Sequence, residues 1–373
     1  CSWSACAKFG LWSKRDGWSV SRRAEENYPT SAFDYELPRD RIARYPAARR
    51  DESRLMVLDR ARGTIEHRCF RDLAEYIAPV DVMVLNETKV FPARLLGTRE
   101  GGGAAEVLLL RPQGEGEGEG EVWEALVKPG ARLQAGKSVR IADDFAIDIV
   151  EVKDDGTRVV RLSTSIPVAD ALQRYGHMPL PPYMDREEEA IDRERYQTVY
   201  AREQGSVAAP TAGLHFTPEL LASIEEKGTS VARITLHVGV GTFRPVEVED
   251  PAEHVMHEEI YFVSAAAAQQ INDVRAKGGK VWAVGTTVTR TLESIAEDDG
   301  TINAGSGSTA MFIRPGYEFK CVDRLITNFH LPRSTLMMLV AAFAGYDLTM
   351  KAYRIAVDEG YRFYSYGDCM VVI

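Results

Sequence analysis

Cysteine is sparse in this chain of 373 residues, and its five copies (Cys1, Cys6, Cys69, Cys321, Cys369) include no C-x-x-C pair. That scatter excludes a disulfide framework and a zinc-ligand spacing, and points to a reducing, cytoplasmic setting. Long apolar runs are also missing. The longest, from Thr335 to Ala344, suits a buried helix and falls well short of the roughly 20 residues of a membrane span. Net positive charge is absent: 45 Lys and Arg stand against 55 Asp and Glu, giving −10. Any contact with nucleic acid must therefore be local. A dinucleotide fingerprint fails as well. Gly239 and Gly241 follow a strand pattern, but the third glycine of G-x-G-x-x-G would fall at Arg244, and Pro245 bars a helix there.

What remains is a globular composition, 45% hydrophobic and 27% charged, long enough for a sizeable core and for about two domains. Residues 1–28 stand apart. Trp3, Trp12 and Trp18 lie there among Ser, Lys and Arg without periodicity or a continuous apolar stretch. The segment reads as an unstructured extension rather than a signal peptide. From Phe91 to Ser163 the pattern is of short strands, at 91–98, 104–110, 121–127, 137–142, 145–153 and 157–163, separated by turn signals. Close, even spacing predicts a small barrel or sandwich. Its loop Gly114 to Glu121 alternates Gly and Glu and reads as a flexible tip. Strands are also expected at 54–59 and 80–85.

From Thr217 onward helices and strands alternate. Thr217 and Pro218 supply an N-cap and an N1 proline, and Gly228 a stop. Strands follow at 230–238, 280–284 and 322–328, with helices at 264–277, 287–296, 334–344 and 347–360 and a terminal strand. The expected fold is α/β, a mainly parallel sheet with helices interrupted by an inserted small β-barrel domain. Residues 29–89 and 165–373 would form the α/β catalytic domain, and 90–164 the insertion.

Three expected strand ends carry unusual polar sequences. One runs through His237, Thr242, Phe243 and Arg244. The second is Gly285, Thr286 and Thr287, leading into a helix with Arg290 and Glu293. The third holds Asn328 and His330. Ligands of open α/β sheets bind beyond the carboxyl ends of strands, so three such ends predict one shared pocket, against the plainer reading of capping and turn chemistry. A fourth segment, Thr211 to His215, directly precedes the helix capped by Thr217. An imidazole at a helix N-terminus is held neutral and available as a base; the plain alternative is a satisfied structural histidine. His254 and His257 at i and i+3 could share a helix face, but six acids between Glu247 and Glu259 with no Lys or Arg read as a solvated acidic surface, and no metal is expected. Eight arginines against four acids from Arg39 to Arg62 form a local basic patch suited to phosphate.

These motifs, in this order, resemble one family. The blocks at 33–38 (FDYELP), 50–55, 86–95 (NETKVFPARL) and 178–183 (MPLPPY) carry the resemblance. So do 196–201, 205–217, 236–246, 254–257, 284–293 (VGTTVTRTLE) and 323–343. From about Phe33 onward the chain is similar to S-adenosylmethionine:tRNA ribosyltransferase-isomerases of queuosine synthesis. Ala310 departs from the acidic or amide residue of that family, and Cys369 from its alanine; residues 1–28 have no counterpart.

The resemblance implies transfer and isomerisation of the ribosyl part of S-adenosylmethionine onto a 7-aminomethyl-7-deazaguanine at the tRNA wobble position. Epoxyqueuosine would form while adenine and methionine leave. S-adenosylmethionine is then a substrate, with no cofactor and no metal; the partners are that donor and the tRNA, with no membrane and a monomer favoured. The chemistry asks for a base of near-neutral pKa and a cage for the sulfonium. His215 is the first candidate base and His237 the second, with Thr211 and Arg244 beside them. Phe216, Phe243 or Tyr317 would face the cation. Thr242 belongs to the same donor site. Gly285, Thr286 and Thr287 would hold the methionine carboxylate, and Arg290, Asn328 and His330 would orient polar groups. Arg49, Arg50, Arg54, Lys89 and Arg94 are the expected RNA contacts. A methyltransferase and a non-catalytic tRNA-binding protein are the rival readings. The missing glycine fingerprint counts against the first, and histidines among the pocket motifs against the second.

Overall fold

The computed structural model describes residues 28–115, 120–239 and 246–373. The expected tip of the Gly-Glu loop and nearly all of the N-terminal extension lie outside the described residues. Tyr28, the last residue of that extension, stacks on Tyr346 at 4.2 Å between ring centroids and packs against the main core.

The chain opens with β1 (Arg54–Asp59), β2 (Thr64–Cys69), β3 (Val82–Asn86) and β4 (Thr88–Val90). Six strands follow: β5 (Arg94–Arg99), β6 (Ala104–Glu115), β7 (Glu121–Lys128), β8 (Ser138–Ala142), β9 (Phe145–Val152) and β10 (Arg158–Thr164). They close into a barrel of order β10-β7-β6-β5-β8-β9 whose pairings are all antiparallel. Alternation explains its interior. Leu95, Val107, Leu109, Ala125, Ile147, Ile149, Val160 and Leu162 point inward to one core, at the period of two that strands impose. β5 and β8 approach closely at Gly97, where a Cβ would stand 2.4 Å from the carbonyl oxygen of Arg140.

After the barrel come α1 (Val168–Tyr175), α2 (Asp192–Arg195), β11 (Glu203–Ser206), α3 (Pro218–Glu226), β12 (Ser230–Leu236) and β13 (Glu259–Val263). The chain ends with α4 (Ala265–Ala276), β14 (Val281–Val284), α5 (Thr286–Ile295), β15 (Gly305–Thr309), β16 (Arg324–Asn328), α6 (Thr335–Ala344), α7 (Tyr346–Asp358) and β17 (Cys369–Val372). Nine of these strands form one sheet, β15-β13-β12-β3-β14-β16-β17-β1-β2. Its centre is covered on both faces. In β3, Val82 and Val84 join the core with α4 to α7, whereas Met83 and Leu85 join the core with α3 and Phe70. That is why β3 reads as an unbroken apolar run rather than an alternating one.

The expectation of a mainly parallel sheet needs correction. Four pairings are parallel and four are antiparallel. The four strands β12-β3-β14-β16 are parallel, as the helix–strand alternation requires. The flanks are not. β17 enters beside β16 in the opposite sense, β2 and β15 are edge strands with little apolar content, and β13 lies between β12 and β15, antiparallel to both. β15 is Gly-Ser-Gly-Ser-Thr and pairs with β13 antiparallel.

At the base of the sheet, Asp81 accepts hydrogen bonds from the indole Nε1 of Trp282 at 2.8 Å, from Lys280 N at 2.9 Å and from Ala78 N at 3.1 Å. It is buried, so its removal strands donors that water does not reach. Asp81→Ala is expected to lower the unfolding free energy by about 2–4 kcal/mol, and Asp81→Asn by less, in urea unfolding monitored by circular dichroism. A change below ~0.5 kcal/mol for the alanine variant would contradict this account.

Candidate functional site

Beyond the carboxyl ends of β14 and β16 lies a cleft with about 600 Å³ of empty space, part of it open to solvent. Thr211 and Ala212 line it from the turn before α3, and Gly285, Thr286 and Thr287 from the start of α5. Thr327, Asn328 and His330 come from the end of β16, and Ser334 from the start of α6. The shared pocket expected from the polar strand ends therefore exists for two of the three, joined by the Thr211 segment. The parallel register places them: Val284 pairs with Ile326, so both chains leave the sheet at one level. Of the described residues at the third strand end, Val238 lines the cleft. Thr242, Phe243 and Arg244 lie outside the described residues.

His215 does not reach the cleft wall. It is buried behind Asn328, with Nδ1 2.7 Å from Ser53 Oγ and Nε2 3.0 Å from Asn328 Nδ2. Nor does it sit at the open end of a helix. It ends a short 3₁₀ turn, and α3 is capped by Thr217, whose hydroxyl accepts from Leu220 N at 3.2 Å. Burial pushes the imidazole down to about 3, and the Arg362 and Arg50 charges add to the effect. The neutral form is thus held by desolvation, not by a helix dipole. His330 does line the cleft. Its Nε2 lies 2.7 Å from Thr327 Oγ1, and burial pushes it to about 3 as well.

His237 is different. It is half-buried, with Nδ1 2.9 Å from Thr88 Oγ1, and Nε2 has no hydrogen-bond partner among the described residues. Burial lowers its pKa, against a smaller opposing pull from Glu203. It precedes Val238, which lines the cleft, but does not line the cleft itself.

Two further expectations are corrected. Tyr317 does not face the cleft, because its hydroxyl donates to Glu293 at 3.0 Å. The same carboxylate accepts from the backbone of Lys320, Cys321 and Val322, pinning that whole turn to α5. Arg290 does not line the cleft, and its Nη2 is buried without a partner among the described residues. It forms a buried ion pair with Glu259 and donates from Nε to Met311 O at 2.9 Å. The aromatic wall of the cleft is instead Tyr183 and Tyr364, with ring centroids 4.4 Å apart and planes at 38°. Tyr364 adopts φ 70°, a left-handed conformation costly for a bulky side chain. Nothing in the local composition around Tyr364 signals that geometry; Tyr183 at least closes one of the sequence blocks.

The basic patch divides. Arg50 is a strut whose guanidinium donates to Glu194 O at 2.9 Å and Leu214 O at 3.1 Å. Arg54 donates to Glu359 O at 2.7 Å and lies 3.7 Å over the Tyr361 ring. Arg94 pairs with Glu106 at 2.9 Å. Arg49 is exposed beside Asp51 at 3.2 Å, and Lys89 is exposed. An open groove of about 990 Å³ instead gathers Arg39, Arg41, Arg44 and Arg362. Through Pro46 it adjoins a small cavity beside His215, which shares Ser365 with the cleft. Among the described residues there is no cluster of three or more potential metal ligands. His254 and His257 lie outside any helix, so they share no helix face. No described helix is long and apolar enough to cross a membrane.

Comparison with known proteins agrees with this layout. A family described as queuosine biosynthesis protein matches residues 30–372. A protein of Symbiobacterium thermophilum named S-adenosylmethionine:tRNA ribosyltransferase-isomerase is 56% identical over 345 residues, covering 92% of this chain and 99% of its own length. Its namesake in Moorella thermoacetica is 56% identical over 344 residues, covering 91% and 98%. The crystal structure of an S-adenosylmethionine tRNA ribosyltransferase from Thermotoga maritima aligns at a TM-score of 0.53 with 39% identity, covering 92% of this chain and all of that one. The chain belongs to the queuosine biosynthesis protein family.

Proposed function

We propose that this chain transfers and isomerises the ribosyl part of S-adenosylmethionine onto the 7-aminomethyl-7-deazaguanine of a tRNA wobble position. The product is epoxyqueuosine, and adenine and methionine leave. The observation that carries this reading is near-complete coverage by relatives so named, combined with one cleft in which three of the expected polar segments converge. The sulfonium acidifies the adjacent ribose carbon, a base removes that proton, and the ring opens with loss of adenine. The RNA amine then attacks and the sugar closes as methionine departs. Tyr183 and Tyr364 are the aromatic faces available to the cation. We assign the proton acceptor to His237, which is less buried than His215 and His330 and whose Nε2 has no hydrogen-bond partner among the described residues. His215 is a positioning residue for Asn328. RNA phosphates follow the arginine groove toward the cleft, past Arg39 and Arg44.

Product analysis tests the reaction. With S-adenosylmethionine and tRNA bearing the aminomethyl base, free adenine and methionine are expected by liquid chromatography. S-adenosylhomocysteine would establish methyl transfer, and an unconsumed donor a binding protein.

One pair of variants separates base from support. His237→Gln is expected to lower the single-turnover rate by roughly 100-fold or more while the melting temperature holds. For His215 and His330 the folded pKa lies below the unfolded one, near 6.5. The stability they contribute is therefore complete above that value and drains away as pH falls toward 3. Between pH 7 and 5.5 the unfolding free energy should fall with a slope approaching about 1.4 kcal/mol per pH unit for each histidine, and His215→Gln should remove one proton from that slope. An unchanged slope in the variant would refute the neutral, buried role.

Salt dependence tests the groove. Arg39→Gln with Arg44→Gln should weaken tRNA binding and flatten the plot of log affinity against log salt by about 1–2. Donor binding should be unaffected. An unaltered slope would place the RNA elsewhere.

A further inference from the structure

Two buried polar atoms in the cleft lack hydrogen-bond partners among the described residues: Thr287 Oγ1 and Asn328 Oδ1. Such orphans are uncommon in native proteins, since an unpaired buried group costs about 1–3 kcal/mol. Both residues are more than nine-tenths buried and both line the cleft. The Asn328 amide is not free to turn. Its Nδ2 lies 3.2 Å from Tyr364 O, to which only an N–H can donate, and 3.0 Å from His215 Nε2. Oδ1 is therefore the atom left to a ligand, and it can only accept.

Thr287 stands in the first turn of α5, a helix of ten residues. The preceding Gly285 has φ 99° and provides no side-chain cap, so the N–H groups of Thr286, Thr287 and Val288 have no intrahelical acceptor. The cleft thus presents two complementary poles. One is a helix N-terminus with free N–H donors and a hydroxyl, suited to an anion. The other, at the end of the adjacent parallel strand, is a carbonyl oxygen suited to an N–H donor. Strand register brings the two ends together, and the Gly285 N–H donates to Ile326 O at 2.8 Å.

We propose that this pair is an α-amino-acid site, in which the helix end and Thr287 take a carboxylate while Asn328 Oδ1 accepts from the neighbouring ammonium. Resting on the reading that S-adenosylmethionine is the donor, this orients the molecule. Its methionine end lies against α5 and β16, and its sulfonium and nucleoside extend toward Tyr183 and Tyr364. The departing methionine then keeps both contacts until it dissociates, and free methionine is a product inhibitor competitive with the donor.

The test uses the full chain and three small probes in calorimetric titration: L-methionine, its desamino analogue 4-(methylthio)butanoate, and its descarboxy analogue 3-(methylthio)propylamine. L-Methionine is expected to bind and to compete with S-adenosylmethionine, and each analogue to bind roughly 10-fold to 100-fold more weakly. Thr287→Val should weaken L-methionine and the desamino acid but not the amine. Asn328→Leu should weaken L-methionine and the amine but not the desamino acid. That selectivity is what a merely structural role does not produce, so a uniform loss for all three probes overturns the proposal. Competition by adenine in place of methionine overturns it as well. Failure of the activity reading looks different: the donor is not consumed in the product assay, yet methionine still binds with the stated pattern.

Discussion

A chain of three buried side chains, Asn328, His215 and Ser53, holds together the parts that make the cleft. Asn328 donates to His215 Nε2, which places the imidazole proton on Nδ1. That nitrogen donates to Ser53 Oγ, whose hydroxyl in turn reaches Arg50 O at 3.3 Å. Four segments distant in sequence meet here: the end of β16, the turn before α3, the approach to β1 and the loop carrying Tyr364. Each donor has one acceptor, so the chain has a direction and a single tautomer. Protonating His215 would set two donors face to face at Nε2, in a place where water does not compensate. The depression of its pKa and the orientation of Asn328 are one constraint seen from two sides.

Around that chain, charge is used inward more than the composition suggests. Arg50 satisfies backbone carbonyls of α2 and of the turn that carries His215, so it braces the same assembly. Arg290 and Glu259 are both almost fully buried and pair across α5 and β13, and Glu259 also accepts from Gly239 N at 3.3 Å. Glu293 ties the 317–322 turn to the far end of the same helix. A helix whose N-terminus faces the cleft is thereby clamped along its length by ion pairing and hydrogen bonds. The basic groove gathers Arg39, Arg41, Arg44 and Arg362; of these Arg44 pairs with the exposed Asp185 at 3.0 Å and Arg362 donates to the carbonyls of Tyr45 and Tyr366.

The barrel was legible because strand period and turn chemistry agree from Arg94 to Thr164, and the parallel centre because helices and strands alternate after Thr217. β2, β13 and β15 were harder to read. β2 and β15 carry little apolar content, and a strand such as Gly-Ser-Gly-Ser-Thr leaves no hydropathy signal, whereas β13 is apolar but only five residues long and follows directly on an acidic run. The threonines of α5 and the residues Asn328 and His330 were legible as cleft residues because each follows directly on a strand whose apolar run ends there. His215, Tyr317 and Arg290 were chosen for their chemistry, and chemistry does not tell which way a side chain faces.

By itself, then, the order of residues determined the barrel strands, the alternating helices and strands of the sheet's centre, the polar run Gly285 to Thr287 at the start of α5, and membership of a family whose motifs run almost the length of the chain. These are local properties, set by periodicity, capping and turn preference over windows of about ten residues. Tertiary structure alone decided the sense of the outer strands, the withdrawal of His215 behind Asn328, and the pairing of Tyr183 with Tyr364. It also decided which arginines brace the interior, as Arg50 does. The physical reason is common to all four: each depends on which partner a group meets across the sheet, and a hydrogen bond or ion pair between residues a hundred positions apart leaves no trace in either neighbourhood.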